Sequence, residues 1–264
     1  MIGSLMMLFD THAHLHFPEF AEDLDAVVER ARAAGVRGMV TIGTDRDTNR
    51  AVVELAKRLP DVWATVGIHP HDAAEASEAN FEEVERLARS EAKVVGFGEM
   101  GLDFFRDISP RDVQETVFRR QLALARAVGK PVVVHCRDAH AETLAVLAGE
   151  KAGETGGVMH CFSGDVEIAR RCLDLGLLIS LAGPVTYKNA RALPAVARFV
   201  PEDCLVVETD CPYLPPTPHR GKRNEPAYVA LTAATIAELR GMDPERLGEA
   251  TTRNAARLFR LPVI

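Results

Sequence analysis

The sequence predicts a single (β/α)8 TIM-type barrel, an α/β fold in which eight parallel strands alternate with helices. Eight short apolar or β-branched segments recur along the 264 residues, and amphipathic helical patterns lie between them. The repeats are roughly 20 to 36 residues long, which is the length of a βα unit. Because the strands are almost wholly apolar, they are typical of a parallel sheet that is covered on both faces.

The eight predicted strands are short and are followed by turn or helix signals. They cover residues 7–10, 38–43, 62–68, 94–98, 131–135, 157–160, 177–181 and 205–208. Gly35 and Gly129 follow helical patterns and are predicted to end those helices. The tail carries two further helical patterns, at about 227–241 and 244–259.

The chain shows no low-complexity linker and no break in composition, so residues 1–264 are predicted to form one domain. An open, doubly wound sheet is the alternative, because a sequence pattern does not prove that a sheet closes.

Composition restricts the classes of partner. A net charge of −7 argues against broad electrostatic coating of DNA or of anionic membranes, although a nuclease can still grip a few phosphates through bound cations. No apolar run approaches the ~20 residues that span a bilayer. Aromatic residues make up 6% with one Trp, which favours trimming of ends over processive binding of single strands. Five cysteines with no CxxC pair predict no disulfide framework, and therefore a cytoplasmic protein.

Residue types that bind metals stand at the ends of several predicted strands. His12 and His14 lie two apart, so in a strand both imidazoles share one face and form a chelate. Taken alone, such a pair is better explained by surface histidines at a strand end. Glu99 follows an apolar run, where a buried carboxylate is costly unless a metal, or an arginine such as Arg106 or Arg137, neutralises it.

Three further predicted strands end in the same way. His135 and His160 each close an apolar run, and Asp210 lies just past the eighth, with Glu208 at the same parity one step deeper. A lone histidine at such a position is usually a hydrogen-bonded core residue. Five strand ends carrying His, Glu or Asp are better explained by one site, because the C-terminal ends of barrel strands converge on one mouth. The predicted metal ligands are His12, His14, Glu99, His135, His160 and Asp210.

The motifs around these residues resemble those of the TatD family of metal-dependent deoxyribonucleases, in the wider amidohydrolase-like group of barrels. The resemblance runs from residue 10 to about residue 259. Its matching stretches are DTHAHL at 10–15, GIHPH at 67–71, GEMGLDFFRD at 98–107, VHCRDA at 134–139, MHCFSG at 159–164, ETDCPYL at 208–214, RGKRNEP at 220–226 and TTRNAARLF at 251–259. The resemblance implies a (β/α)8-type fold and a divalent-metal hydrolase.

The resemblance also implies how two divalent ions (Mg, Mn or Zn) share the ligands. One metal is held by His12, His14 and Asp210. The second is held by His135 and His160, and the carboxylate that bridges the two metals is Glu99. Two such cations activate a water molecule for attack on phosphorus, and we expect Asp210 to accept the proton of that water. The sequence departs from the family at His16, where Asp is frequent, and at Phe105, where Tyr is frequent.

Further residues are predicted to contact substrate or to support the ligands. The substrate-binding residues predicted from the sequence are His69, Asp103, Arg137, Arg223 and Asn224. Each has an alternative explanation. His69 is then a structural loop histidine, Asp103 forms a loop salt bridge, and Arg137 pairs with Asp138 or Asp103. Arg223 and Asn224 then belong to a solvated basic loop. Glu208 is predicted to hold a ligand histidine or a neighbouring arginine. Cys136 and Cys161 are predicted to be small packing residues.

These residues and the resemblance predict a deoxyribonuclease, a 3′-to-5′ exonuclease that acts on single-stranded or frayed DNA. The substrate is therefore DNA, and neither a membrane nor an obligate protein partner is expected. The same centre is compatible with a D-aminoacyl-tRNA deacylase or a small-molecule ester or amide hydrolase, because one fold hosts many chemistries. A non-catalytic metal-binding protein is a further alternative, and the complete ligand set argues against it.

Overall fold

The computed structural model describes residues 6–261 and shows one sheet of eight parallel strands in chain order. The strands are β1 (Leu8–Ala13), β2 (Val36–Ile42), β3 (Val62–Val66), β4 (Val94–Asp103), β5 (Val132–Arg137), β6 (Gly157–Met159), β7 (Leu177–Leu181) and β8 (Leu205–Val207). Each strand pairs in parallel with the next. The predicted α/β barrel is confirmed. The prediction of one domain over 1–264 extends at both ends beyond the described residues.

The barrel is nearly closed between its first and last strands. An isolated parallel bridge joins Ala13, the last residue of β1, to Cys211, which follows β8. Beside it, the amide of His14 donates to the carbonyl of Cys211 at 2.8 Å and the amide of Asp210 donates to the carbonyl of His12 at 2.9 Å. The open, doubly wound alternative is wrong, because such a sheet reverses its strand order at a switch point whereas this one runs in sequence and returns to β1.

Helices connect the strands and cover the outside of the barrel. They are α1 (Leu24–Ala33), α2 (Arg46–Arg58), α3 (Glu78–Ser90), α4 (Arg111–Val128), α5 (His140–Gly149), α6 (Val166–Asp174), α7 (Leu193–Phe199), α8 (Val229–Arg240) and α9 (Pro244–Phe259). Gly129 caps α4 with a φ of 75°, and Gly35 follows α1 with a φ of 93°, so both predicted stops are confirmed. Within residues 6–261, no helix has the length and apolar character that crossing a membrane requires.

The inside of the barrel is apolar at one end and polar at the other. A cluster that includes Val133, Val158 and Val206 packs against Phe259 of α9, which covers that end. Two residues further along each of these three strand segments stand His135, His160 and Glu208. Because side chains alternate along a strand, the same inward face changes from packing to polar chemistry within two residues. The C-terminal ends of the strands therefore form the functional mouth.

The longest strand differs most from its prediction. The apolar run at 94–98 predicts a strand that ends before Glu99, whereas β4 continues to Asp103 and is buried throughout. The glycines in this segment let the backbone come close to its neighbour, since a Cβ on Gly98 would stand 2.4 Å from the carbonyl oxygen of Val133 in β5. Glu99 consequently lies within the strand, deep in the mouth, and is 3% exposed.

Candidate metal centre

The two histidines of β1 face one oxygen of Glu99 and the carboxylate of Asp210. The Nε2 atoms of His12 and His14 are 3.3 Å apart. Both lie near Glu99 Oε2, at 3.4 and 3.8 Å, and near Asp210 Oδ1, at 3.6 and 3.5 Å. Four donor atoms thus converge from three strand segments.

The spacing of these four atoms fits a divalent cation. A tetrahedral ion with bonds of about 2.0–2.1 Å to nitrogen and oxygen needs neighbouring ligand atoms about 3.3–3.4 Å apart. The observed separations of the first group, 3.3 to 3.8 Å, lie at or slightly above this value. The donors are two imidazoles and two carboxylates, a mixed set that suits Zn, Mn or Mg.

A second group surrounds the other oxygen of Glu99. Oε1 lies 2.8 Å from His135 Nδ1 and 2.8 Å from His160 Nε2, and those two nitrogens are 3.4 Å apart. The structure therefore brings together all six residues that the sequence predicts as metal ligands. The two oxygens of Glu99 face different histidine sets, which is the arrangement that a bridging carboxylate requires.

The electrostatics keep the acidic donors ionised. Burial of Glu99 opposes its charge, but His160 and His69 beside it outweigh that effect and hold the pKa of the carboxyl well below its usual range. Burial likewise raises the pKa of Asp210, but the facing His14 and His12 outweigh it, so the pKa of this carboxyl is lowered. Burial alone would lower the pKa of His160, but the adjacent carboxylates raise it well above the ordinary value. A buried group of carboxylates and imidazoles at such short distances is therefore suited to binding a cation.

Glu208 supports His160 from behind. Its Oε1 lies 3.3 Å from His160 Nδ1 and accepts the amide of Cys161 at 2.7 Å, while its Oε2 accepts the hydroxyl of Ser180 at 2.5 Å. Ligand atoms of Glu208, His12 and His160 also lie close enough together to hold a metal ion. Since both of its oxygens already accept hydrogen bonds from the protein, Glu208 is placed to orient the imidazole, as predicted.

Asp10 holds the β8 segment against β1. The amide and the hydroxyl of Thr209 donate to its two oxygens at 2.9 and 2.5 Å. Burial raises the pKa of Asp10 to about 8, although the hydrogen bonds from Thr209 oppose the shift. The side chain is fully buried, so its role is to fix the loop that carries Asp210.

The ligand groups open into a cavity of about 470 Å³. A larger depression of about 820 Å³ lies beside α9 and contains none of the predicted site residues. Three of the predicted substrate-binding residues, His69, Asp103 and Arg137, line the cavity that holds the ligands. Asp103 Oδ2 joins two imidazoles, at 3.1 Å from His135 Nε2 and 2.9 Å from His71 Nε2.

His71 is a residue of the mouth that the sequence analysis did not single out. It lines the cavity, and its ring contacts both Asp103 and His69. The signal for it was its position in GIHPH, the same motif that drew attention to His69. Because the two histidines flank a proline in a loop, strand parity gave no reason to place the second one in the mouth.

His69 presents an N–H group, not a free lone pair, to the ligand group. Its Nδ1 accepts the amide of His71 at 3.1 Å, and burial lowers the pKa of the ring to about 4. At neutral pH the single ring proton is therefore on Nε2, which lies 3.4 Å from Glu99 Oε1 and faces the ligand group. This tautomer makes Nε2 a hydrogen-bond donor at the cavity.

The structure does not bring Arg223 and Asn224 to this cavity. Arg223 donates to both oxygens of Asp23, at 2.8 and 2.7 Å, so its charge is neutralised within the protein. Asn224 is fully buried and donates to the carbonyls of Thr209 and Tyr213 at 2.9 and 2.6 Å. Both residues shape the loop after β8, and neither is among the residues that line the mouth. Their positions do not support direct contact with a substrate in this cavity, which stays an untested prediction.

The remaining predictions concern His16 and the cysteines. His16 packs edge-on against His14 and Phe17, and neither of its ring nitrogens has a hydrogen-bond partner among the described residues. Cys136 is a partly buried residue packed against the main core, in agreement with its predicted packing role. Cys161 follows His160 and donates its amide to Glu208. All five cysteines are free thiols.

Comparison with known proteins identifies the family of the chain. Residues 9–260 match the protein family described as TatD related DNase. The chain is 46% identical over 255 residues to the uncharacterized metal-dependent hydrolase YabD of Bacillus subtilis, covering 97% of this chain and 100% of that protein. It is 42% identical over 257 residues to the 3′-5′ ssDNA/RNA exonuclease TatD of Enterobacter lignolyticus, covering 96% and 98%.

A solved structure shows the same architecture. The crystal structure of the TatD homologue YJJV from Escherichia coli superimposes with a TM-score of 0.92 at 33% sequence identity, and the match covers 97% of this chain and 98% of that one. The barrel and the converging donors are consistent with these near full-length matches. The chain therefore belongs to the TatD-related family of metal-dependent hydrolases.

Proposed function

We propose that this protein is a divalent-metal-dependent deoxyribonuclease that removes nucleotides from the 3′ ends of single-stranded or frayed DNA. The observation that carries the proposal is Glu99, whose two oxygens face two separate histidine groups at the base of an open cavity. A relative of similar length is named a 3′-5′ ssDNA/RNA exonuclease, whereas another is named only as a hydrolase. The five free thiols agree with the predicted cytoplasmic location.

Two divalent ions (Mg, Mn or Zn) would be held by the two groups. His12, His14 and Asp210 would hold the first, His135 and His160 the second, and Glu99 both. Bound there, such ions supply positive charge to the phosphoryl oxygens and lower the pKa of water. The protein itself must position the phosphodiester and receive the proton of the attacking water.

Asp210 would receive that proton. It lies at the cavity wall, is 9% exposed, and has a lowered pKa that keeps it ionised at neutral pH. His69 presents an Nε2 proton for a phosphoryl oxygen, and the exposed guanidinium of Arg137 offers a second donor in the same cavity. Asp103 holds the His135 ring from the side away from Glu99, at 3.1 Å from Nε2.

The proposal is tested with a substrate panel on the metal-loaded protein. End-labelled single-stranded DNA incubated with Mg or Mn should yield a ladder that shortens from the 3′ end. The same preparation of His160→Ala should lose that activity, because it lacks a donor of the second group. Cleavage of no DNA with any divalent ion, together with turnover of D-aminoacyl-tRNA or of small esters and amides, would replace the nuclease proposal by one of those hydrolases.

The acid side of the pH profile should depend on metal concentration. Imidazoles must be deprotonated to bind metal, and the pKa values of His135 and His160 are raised by neighbouring carboxylates that outweigh burial. At limiting metal, activity should therefore begin to fall above the ordinary imidazole pKa of about 6.5, and added metal should move the fall to lower pH. Initial rates across pH at several metal concentrations measure this. An acid limb that stays at one pH would contradict ligation by these histidines.

Arg137 and Arg223 should behave differently towards DNA. We expect Arg137→Ala to weaken binding of single-stranded DNA and to reduce the slope of log Kd against log salt by about 0.7, the contribution of one phosphate contact. Arg223→Ala is the matched control, because its charge is already paired with Asp23. Kd values across a salt series measure both slopes. Equal losses in the two variants would show that Arg223 contacts the strand after all.

A further inference from the structure

Exposed hydrophobic side chains concentrate at the mouth of the cavity. Among residues 6–261, the large hydrophobic residues that are exposed are Phe105, Ile108 and Tyr213, at 57%, 62% and 50%. Ile108 and Tyr213 line the cavity that holds the metal ligands. Phe105 lies against Arg137, which lines the same cavity. Exposed apolar surface gathered at one place is a mark of a binding site, and the metal chemistry does not need it.

One part of this surface lies on the segment after β4. Phe105 and Ile108 belong to this segment, and the guanidinium carbon of Arg137, the last residue of β5, stands 4.0 Å from the centre of the Phe105 ring. The cation therefore covers part of one face of the ring, while more than half of the residue remains in contact with solvent. We call Phe105, Ile108 and Arg137 the β4–β5 patch.

The other part lies where the barrel closes. Tyr213 follows β8, and Phe17 follows β1; their rings meet edge to face with centres 5.9 Å apart. Phe17 also stacks on His14, with ring centres 4.8 Å apart and ring planes 25° from parallel. Both residues line the cavity. We call Phe17 and Tyr213 the β8–β1 patch.

The strand order places the two patches on opposite sides of the mouth. In a sheet that runs from β1 to β8 and returns to β1, the β4–β5 junction is four strands from the β8–β1 junction. The ligand groups occupy the space between, because Glu99 comes from β4 and Asp210 from the end of β8. A phosphate at the ligand groups therefore has one hydrophobic patch on each side.

We propose that the two patches hold the two nucleobases that flank the scissile phosphate, one base on each patch. This inference rests on the proposed nuclease function and names the residues that recognise the strand. Aromatic rings stack on every base, so the contact is independent of sequence. The Arg137–Phe105 pair adds a cation over the stack.

A nucleobase fits these patches better than other occupants do. Each patch offers one or two rings, the area of a single base, and is too small for a stable protein interface, which buries about 800 Å² on each partner. The chain carries a net charge of −7, which argues against broad electrostatic attraction of a strand beyond a few phosphate contacts at the ligand groups. Stacking on either side of the ligand groups supplies affinity that does not depend on net charge.

The test compares alanine variants on substrates with and without individual bases. Phe105→Ala and Tyr213→Ala should each raise KM for a single-stranded oligonucleotide by about 5- to 150-fold, the range that stacking of one base supports, while kcat changes little. On an oligonucleotide whose terminal or penultimate nucleotide is abasic, one of the two variants should lose its defect, because the base that stacked on that residue is already missing. The other variant should keep its defect on that substrate.

Leucine variants control for apolar bulk. Phe105→Leu and Tyr213→Leu keep a hydrophobic side chain but remove the flat face, so they should resemble the alanine variants. Tyr213→Phe should resemble the wild type. Defects that persist unchanged on both abasic substrates, or leucine variants with normal KM, would overturn the proposal.

Two other outcomes point elsewhere. A wild-type dimer in sedimentation experiments that Phe105→Ala dissociates would assign the surface to a second copy of the chain and overturn the base contact. If the wild type cleaves no DNA with any divalent ion, the nuclease function itself fails. Cleavage of DNA by the wild type with normal KM in both alanine variants refutes only the stacking proposal.

Discussion

Glu99→Gln should lower metal-dependent turnover by about 10²- to 10³-fold, the scale of losing a preorganised charge-stabilising group. The substitution preserves the shape of the side chain but removes the charge that both ligand groups share. The two oxygens of Glu99 lie 3.4 Å from His12 Nε2 and 2.8 Å from His160 Nε2, so this one residue contacts both ligand groups. We therefore expect the bound metal to fall at both sites together, as measured by metal analysis after dialysis.

Glu208→Gln is the matched control for that prediction. Glu208 is also a buried glutamate beside His160, but it contacts the ligand ring from behind at 3.3 Å. Loss of such support typically costs 10- to 100-fold in metal affinity or activity, and it should affect the second group more than the first. A Glu99→Gln protein that keeps its metal and its turnover would refute the bridging assignment.

Gly101→Ala should destabilise the protein by about 3 to 5 kcal/mol, the combined cost of backbone strain and overpacking. Gly101 lies in β4 with a φ of 147°, and a Cβ there would stand 1.9 Å from the carbonyl oxygen of His135. A methyl group would force β4 and β5 apart next to a ligand histidine. Unfolding in urea measures the loss of stability, and metal binding by the second group should weaken with it.

Gly129→Ala separates the clash from the strain. Gly129 also has a positive φ, 75°, but a Cβ there would meet nothing within 4 Å. Only the strain of a left-handed residue remains, which costs about 1 to 2 kcal/mol. If the two variants lost similar stability, the close approach of β4 to β5 would not be what requires glycine at 101.

The sequence was sufficient to predict the fold and the convergence of the six predicted ligands because both depend on local patterns. Apolar runs of strand length, separated by helical patterns, predict a parallel barrel, and a barrel brings all C-terminal strand ends to one mouth. A His, Glu or Asp at a strand end is therefore placed in space by its position in the sequence. Even the error at Glu99, expected at a strand tip and found within β4, left the carboxylate in the mouth.

Only the tertiary structure decided which loop residues face that mouth. Arg223 was predicted to contact substrate, but Asp23, 200 positions earlier in the chain, pairs with it and neutralises its charge. Conversely, Phe105 was noted only as a departure from the family and Tyr213 only as part of a motif, yet both are exposed at the mouth that holds the ligand groups. Loop side chains follow no fixed period, so their partners depend on contacts between distant segments. That is why the convergence of the predicted metal ligands could be read from the sequence and the exposed hydrophobic surface at the mouth could not.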